Sequence, residues 1–382
     1  MTEGELCIAL NMISGIGYSR YLALKEAFGS ADGIRFAGRG NLQAVPGIGK
    51  ILAERISGFD WDAELLREKM VSERGDVKVV TLADDDYPSA LRNISDPPLC
   101  LYIRGNLPDN QENSIAIVGS RRVSNYGRQM AQRLAESAVD AGFTVFSGLA
   151  YGVDSIVHQS VVARGGRTVG VVGGGLLHLY PKENIPLARE MINNGGAVVS
   201  EFPLNFPVSR HNFPRRNRIV AAACCASIVV EAGVDSGALI TARLAAEMGK
   251  EVFAVPGQVG NPQAAGCHKL IREGAELIES FDDVLFSLRS GLRPGMVDDA
   301  TGKVVGEESL SPLCRKICDI LRKGDADLEE LQYSTGMDPG SLLAALSELE
   351  LKLFVERDAD FYYHLVPSFG ERAVGHPELF ED

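Results

Sequence analysis

The sequence predicts an α/β protein whose central part is a parallel sheet, preceded by a small helical segment and followed by short helices with a β-hairpin. Three observations predict this. Apolar runs rich in β-branched residues alternate with helical segments between about 79 and 290, two glycine turns interrupt helical periodicity before that region, and three short helices precede two strand-like runs after it. The 382 residues are enough for two or three domains at roughly 150 residues each.

The first predicted domain, residues 1–75, is helical. Two similar turns, Ser14-Gly15-Ile16-Gly17 and Pro46-Gly47-Ile48-Gly49, separate helical stretches, and the run VPGIGKILAERI resembles a helix-hairpin-helix of the SAM-like kind. In such a hairpin the glycines expose backbone N–H groups at a helix N-terminus, where they can hold a DNA phosphate without reading bases. Glycines also close tight turns in purely structural modules, so both interpretations stay open.

The second predicted domain, residues 76–288, alternates strands and helices. Continuous apolar strands separated by helices, such as 126–141 and 238–248, indicate a parallel sheet covered on both faces. Ligands of such sheets bind beyond the carboxyl ends of the strands, so the loops there are the place to look for function. The predicted strands are 115–118, 144–146, 168–172, 197–199, 228–230 and 252–255.

A linker over 289–312, rich in glycine, proline and charge, is predicted to precede a third domain at 313–382. Its helices at 312–321, 328–335 and 339–351 and strand-like runs at 354–356 and 361–365 resemble a winged helix. Between Asp325 and Glu350 this domain has seven acidic residues and no basic one. A protein-contact or regulatory role is therefore expected rather than DNA reading.

Charge and composition exclude several classes of protein. Hydrophobic residues make up 45% and charged residues 23%, which is typical of a globular chain, and the net charge of −13 excludes a generally basic coat for nucleic acid. The longest nearly apolar run is too short to cross a bilayer, and no basic signal segment opens the sequence. Seven scattered cysteines without a CxxC pair, and histidines without metal-ligand spacing, predict a reduced cytoplasmic chain with no metal or cofactor.

Several predicted strands end in residues that could bind an anion. Gly119-Ser120-Arg121 could offer backbone N–H groups and a forked cation, although the absence of GxGxxG disfavours a dinucleotide. Asp154 and His158, four residues apart, could form a catalytic dyad, but a helix N-cap and a buried structural histidine are expected instead. Gly173-Gly174-Gly175 permits close backbone approach, and Ser236 could cap a helix or help bind an anion.

The segment between Glu201 and Glu231 contains no acidic residue and includes the basic run RHNFPRRNR at 210–218. Such a cluster predicts an anionic partner, with Phe213 available to stack on an unpaired base and Asn217 able to bond a base edge. The alternative is that the arginines form a solvated face or pair with carboxylates elsewhere in the fold.

These strings resemble the DNA-processing protein family DprA, also called Smf. The matching runs extend over about 87–278 in order and include IAIVGSRRVSNYG, FSGLAYGVDSIVH, NFPRRNRIV and VVEAGVDSGALITARLA. The resemblance implies an extended Rossmann-like domain that binds single-stranded DNA, forms a homodimer and loads a RecA-type recombinase during natural transformation. It also implies a DNA pocket containing Arg121, Arg210, Phe213, Arg216, Asn217 and Arg218.

With the strand-end loop and the basic run included, the expected DNA-binding residues are Gly119, Ser120, Arg121, Arg210, His211, Phe213, Arg215, Arg216, Asn217 and Arg218. No catalytic residue is expected. The rival interpretation is a nucleotide-hydrolysing enzyme resembling the LOG phosphoribohydrolases. Their PGGxGTxxE signature is absent, because Leu176-Leu177-His178 follows the three glycines here.

Overall fold

The computed structural model describes residues 1–108, 113–291, 310–322, 324–351, 355–357 and 362–365. The chain divides into two compact units, Met1–Asp283 and Val284–Asp382. The helical segment and the sheet predicted as separate domains thus lie together in the first unit.

Six helices build the amino-terminal segment, and their packing explains the two glycine turns. One turn joins the first two helices and the other joins the fourth and fifth. Buried Leu6, Leu10, Leu24 and Ile56 form a core that continues into the sheet through residues such as Tyr102. The helices are α1 (Glu3–Met12), α2 (Tyr18–Phe28), α3 (Ala31–Arg35), α4 (Arg39–Gln43), α5 (Lys50–Ser57) and α6 (Trp61–Arg74).

In the described part of the first unit, nine strands form one sheet in the order β1-β2-β6-β5-β4-β3-β7-β8-β9. The strands from β6 to β9 in that order pair in parallel, as the alternating pattern predicts, whereas β1 and β2 add an antiparallel edge. The strands are β1 (Lys78–Thr81), β2 (Cys100–Gly105), β3 (Ser114–Val118), β4 (Thr144–Ser147), β5 (Thr168–Val172), β6 (Ala197–Ser200), β7 (Ala226–Val229), β8 (Glu251–Ala254) and β9 (Glu276–Leu277).

Helices cover both faces of the central strands, which is why β3 to β7 are buried along their whole length. In β5, Val169 and Val171 pack in the cluster that contains α11, while Val172 packs with α10 on the other face. The helices of this unit are α7 (Ser89–Arg92), α8 (Asn125–Asp140), α9 (Val153–Ala163), α10 (Ile185–Asn193), α11 (Asn212–Ala222), α12 (Ala238–Glu247) and α13 (Ala265–Arg272). Helix α14 (Phe281–Gly291) begins in the first unit and ends in the second.

The order of the parallel strands reverses between β3 and β7, so the chain leaves these neighbours in opposite directions along the sheet. Such a switch point opens a crevice at the carboxyl ends of the strands. The loops after β3, β4 and β5 and the amino end of α11 lie on this edge, which we call the strand-end edge.

In the second unit, α15 (Pro312–Leu321), α16 (Leu328–Thr335) and α17 (Pro339–Leu351) have the predicted bounds. β10 (Val355–Arg357) and β11 (Tyr363–Leu365) pair antiparallel. Ser311 and Asp327 cap α15 and α16 through their side chains, and Ile317, Leu331 and Leu346 form the core. These elements are consistent with the winged-helix prediction, which stays a prediction.

The predicted linker, 289–312, includes residues that are helical in the structure at both of its ends. Helix α14 extends to Gly291, so a linker that begins at 289 starts too early, and α15 already begins at Pro312. Residues 292–309 of the predicted linker lie outside the described residues.

The three glycines after β5 let the chain's own backbone come close to this strand end. A Cβ atom at Gly175 would lie 2.2 Å from the carbonyl oxygens of both Pro203 and Leu204, and one at Gly174 would lie 2.6 Å from Val208. Segment 203–208 therefore lies at the glycines where the sequence also allowed a ligand to bind.

We expect Gly175→Ala to lower the free energy of unfolding by about 1–3 kcal/mol, because the methyl group meets backbone atoms that cannot rotate away. Urea denaturation followed by circular dichroism measures the change. Gly38→Ala is the matched control, since a Cβ at Gly38 meets nothing within 4 Å. Equal midpoints for the two variants would contradict this account.

Candidate nucleic-acid interface

Helix α11 carries the basic run to the strand-end edge. The side chain of Asn212, at the start of this helix, donates hydrogen bonds to the carbonyl oxygens of Gly173 at 2.9 Å and Pro207 at 3.3 Å. The ring of Phe213 lies against Gly173. The prediction that Phe213 stands at a loop-to-helix junction is therefore confirmed.

Two guanidinium groups face the half-buried ring of Phe213. The Cζ atom of Arg121 lies 4.8 Å from the ring centroid, and that of Arg216 lies 6.0 Å from it. Arg121 is exposed, and no ion pair joins it to any described residue. The ring thus holds an available cation in place through a cation–π contact. The sequence predicts that an unpaired base stacks on Phe213, but in the structure Arg121 lies over one face of this ring.

Arg216 supplies its charge from inside the protein. It is 4% exposed, and its Nη1 donates to the carbonyl oxygen of Val171 while its Nε donates to Asn217 Oδ1 at 3.1 Å. Burial lowers the pKa of Arg216 to about 10, with Asp154 opposing the shift and Arg121 adding to it. The group therefore stays protonated at neutral pH. A Cβ at Gly148 would lie within 2.5 Å of both Arg216 and Asp154, so only glycine leaves room for this pair.

Arg218 and Arg215 do not match the expectation of a carboxylate-free cluster. Arg218, 8% exposed, donates from Nη2 to Glu201 Oε2 at 2.7 Å and from Nε to Asp96 Oδ2 at 3.2 Å. Arg215 Nη2 lies 3.2 Å from the same Glu201 oxygen, and its guanidinium packs over Phe202 at 5.1 Å. The alternative of pairing with carboxylates elsewhere in the fold therefore holds for Arg218, and in part for half-exposed Arg215.

Asn217 makes its described contacts inside the protein. Its Oδ1 accepts from Arg216, its Nδ2 donates to Gly237 O at 3.2 Å, and the residue is 8% exposed. Asn217 fastens α11 to the loop after β7. The structure therefore does not present this amide to a base edge, and the predicted base contact stays a prediction.

Of the backbone N–H groups expected at Gly119-Ser120-Arg121, that of Ser120 is already used within the chain. Ser120 N donates to Glu231 O at 2.7 Å, and Ser124 N donates to Glu231 Oε2 at 2.8 Å. Arg122 N donates to Ser120 Oγ at 3.1 Å. The carboxylate of Glu231 thus occupies the amino end of α8, where an anionic ligand would otherwise bind.

Asp154 and His158 do not form a dyad. His158 is fully buried, and its Nδ1 lies 2.7 Å from Thr168 Oγ1, whose own proton goes to Val145 O. We infer that Nδ1 carries the proton, which leaves Nε2 bare and without a described partner. Burial lowers the pKa of His158 to about 3, with the charge of Arg216 adding to the effect. The structural interpretation is confirmed, although Gly152 rather than Asp154 is the N-cap of α9.

Arg210 and His211 are exposed at the start of α11. Ser236 lies before α12, where its Oγ accepts weakly from Ala238 N at 3.4 Å. Other residues of this edge carry no pattern of their own in the sequence: the anchoring carboxylates Glu201 and Asp96, exposed Arg122, and the tyrosines at 151 and 180. Ion pairing and exposure depend on the fold, so no sequence signal identifies these residues.

The glycine turns of the amino-terminal segment are joined by arginines. Arg20 donates from Nη1 to Gly15 O and from Nε to Gly47 O at 3.0 Å, while Arg55 donates to Ser14 O at 2.8 Å. These bonds stabilise the turns, and the phosphate-binding interpretation stays a prediction.

Within the described residues, no three His, Cys, Asp or Glu side chains come together as metal ligands. No described helix is both long and apolar enough for a membrane span.

Two known protein families match this chain, one over the sheet region and one over the amino-terminal helices. The family model for DNA recombination-mediator protein A matches residues 78–289, and that for the SAM-like helix-hairpin-helix tandem matches residues 8–57. Protein Smf of Synechocystis is 31% identical over 95% of this chain and 98% of its own length. Protein Smf of Escherichia coli is 41% identical, but the match spans 54% of this chain and 55% of that protein.

A solved structure of DNA processing protein A from Helicobacter pylori, described for its single-stranded DNA binding mode, is also similar. It aligns with a TM-score of 0.50 at 28% identity over 56% of this chain and 97% of its own.

We expect Arg218→Ala to lower the free energy of unfolding by about 3–5 kcal/mol, because it leaves buried Glu201 without its closest partner. Arg121→Ala should change it by less than about 0.5 kcal/mol, since Arg121 is exposed. Urea denaturation measures both. Replacing Arg218 and Glu201 together by Met should restore part of the loss, and a double variant no more stable than Arg218→Ala would contradict the ion-pair account.

Stability should also depend on pH through His158. Its pKa is about 3 in the folded chain against 6.5 ordinarily, so only the unfolded chain gains this proton as the pH falls below 6.5. The free energy of unfolding should then fall by about 1.4 kcal/mol per pH unit from this group. The buried carboxyl of Asp154, whose pKa is raised by burial, acts in the opposite direction.

His158→Asn isolates the histidine contribution, because Asp154 is unchanged in it. The difference in unfolding free energy between the native chain and this variant should shrink as the pH falls from about 7 to about 5. A pH-independent difference would mean that His158 titrates normally.

Proposed function

Because the chain belongs to the DNA recombination-mediator protein A family, we propose that its strand-end edge binds single-stranded DNA. The observation that carries this proposal is the exposed guanidinium of Arg121, held over Phe213 beside the buried charge of Arg216 and not paired with any described carboxylate. Two like charges around one ring repel each other, and a phosphate relieves that repulsion.

The cations divide into those that reach the strand and those that hold the fold. Arg121, Arg210 and half-exposed Arg215 can contact phosphates, while buried Arg216 strengthens the local field and Arg218 anchors the helix. An unpaired base can stack on the guanidinium plane of Arg121 or on the accessible part of Phe213. Duplex DNA binds poorly at such a site because its bases are already stacked and paired.

The family and its relatives support a wider role. We propose that the protein acts in the cytoplasm, protects incoming single strands during natural transformation and loads a RecA-type recombinase onto them. A homodimer would place two such sites on one strand and raise the overall affinity without new contacts. The acidic second unit is proposed to contact protein rather than DNA.

The loops after β3 and β5 favour strand binding over nucleotide hydrolysis. The Glu231 carboxylate accepts from Ser124 N at the amino end of α8, and segment 203–208 lies against Gly174 and Gly175. These positions are then closed to the phosphate of a small nucleotide. Incubation with nucleoside monophosphates should therefore release no base.

Arg121→Ala should weaken single-strand binding by about 10-fold to 100-fold, because it removes a charge-assisted hydrogen bond without touching the core. A fluorescence-anisotropy titration with single-stranded and duplex oligonucleotides measures this. With three exposed arginines on phosphates, the native log–log salt slope should be about −2, and the variant should lose about 0.7 of it.

Arg164→Ala is the matched control. Arg164 follows α9 at the opposite edge of the sheet and pairs with Asp140 on the surface. Its affinity and slope should equal those of the native chain. A duplex preference, or an unchanged affinity of Arg121→Ala, would refute the proposal.

A further inference from the structure

Two tyrosines lie together on the strand-end edge. Tyr151 belongs to the loop after β4 and Tyr180 to the loop after β5. Their ring centroids are 6.1 Å apart with an interplanar angle of 85°, and the residues are 39% and 46% exposed. This edge-to-face pair leaves aromatic surface open to solvent.

The pair is held in place rather than loosely tethered. Tyr151 donates its hydroxyl proton to Glu183 Oε2 at 2.7 Å. Asn184 Nδ2 links the two loops, since it donates to Leu149 O at 2.9 Å and to Ser155 Oγ at 2.8 Å. A rigid aromatic surface loses little side-chain entropy on binding, which is what a stacking contact needs.

The pair adjoins the Arg121 site through its own loop. Gly152, next to Tyr151, lies so close to the loop after β3 that a Cβ there would be 2.7 Å from the carbonyl carbon of Arg121. The loop after β5 likewise begins at Gly173, against which Phe213 packs. The loops that position Arg121 and Phe213 are therefore the ones that carry the tyrosines.

The charges around the pair indicate which part of a strand it accepts. Tyr151 keeps its proton, because the hydrogen bond to Glu183 raises the pKa of its phenol to about 12. The same bond lowers the pKa of Glu183, so this carboxylate is ionised at neutral pH. An ionised carboxylate repels phosphate, whereas a neutral base is not repelled.

We propose that Tyr151 and Tyr180 form a second nucleobase-stacking subsite on the strand whose phosphates Arg121 holds. The inference rests on the proposed function and adds to it. Stacking on an aromatic ring is tolerant of sequence, so the subsite lengthens the bound strand without selecting its bases.

The test uses the full chain, a short oligothymidylate that only the Arg121 site can engage, and a longer one. Tyr151→Ala should weaken the longer strand by about fivefold to a hundredfold, as expected for one lost stacked base, and leave the short strand unchanged. Tyr151→Phe keeps the ring and should bind both strands within about twofold of the native chain. Tyr333→Ala, which removes a 92% exposed tyrosine of the second unit, serves as the general control.

Abasic scanning locates the subsite. In the native chain, removing single bases from the longer strand should reveal two sensitive positions, of which one becomes insensitive in Tyr151→Ala. If Tyr151→Ala binds both strands like the native chain, or if both sensitive positions persist in it, the subsite is refuted while the proposed function stands. Failure of the native chain to bind either strand would instead refute the proposed function.

Discussion

The buried carboxylate of Glu201 is the interaction on which the strand-end edge depends. It receives Arg218 at 2.7 Å and Arg215 at 3.2 Å from α11, and its backbone carbonyl accepts from Asn11 of α1 at 2.9 Å. Three residues later, Leu204 N donates to the buried carboxylate of Glu68 on α6 at 2.8 Å. The segment after β6 therefore joins the basic helix, the amino-terminal helices and the sheet.

The ion pairs of Glu201 divide the basic run at 210–218 into residues that hold helix α11 in place and residues that can reach a ligand. A buried ion pair adds little net stability, because the cost of removing both charges from water offsets their attraction. Removing one partner lowers the stability strongly, so the pair mainly fixes the positions of the two side chains. Arg218 holds α11 to the segment after β6 through Glu201, and Asn217 holds it to the loop after β7 through Gly237. The held helix then presents Phe213, which in turn positions Arg121 from a different loop. Arg218 is neutralised by Glu201 and Asp96, whereas the charges of Arg121 and Arg216 at the Phe213 ring are left for an anionic ligand.

The sequence predicts most of the secondary structure because periodicity is a local property. The six predicted strands agree with β3 to β8 to within two residues at each end, and the three helices of the second unit have the predicted bounds. Strands β1, β2 and β9 are not predicted. β1 and β9 are short and partly exposed, so they carry little apolar pattern. The position of the basic run is evident in the sequence, but which of its arginines pair with carboxylates is not. Glu201 lies at the border of the carboxylate-free stretch and Asp96 far before it, and only the fold brings them to Arg218.

In the proposed function, a sheet with a nucleotide-binding topology serves a polymer because the position for a single phosphate is already occupied. In such sheets a phosphate usually binds at backbone N–H groups beside the switch point, and here Glu231 supplies the anion from within the chain. Backbone N–H groups at one helix end bind one phosphate in one position. Side chains spread along the edge, with cations at Arg121 and Arg215 and rings at Phe213, Tyr151 and Tyr180, can contact successive nucleotides of an extended strand. Because Glu231 occupies the position at which a single phosphate would bind, the proposed site favours an extended strand over a small nucleotide.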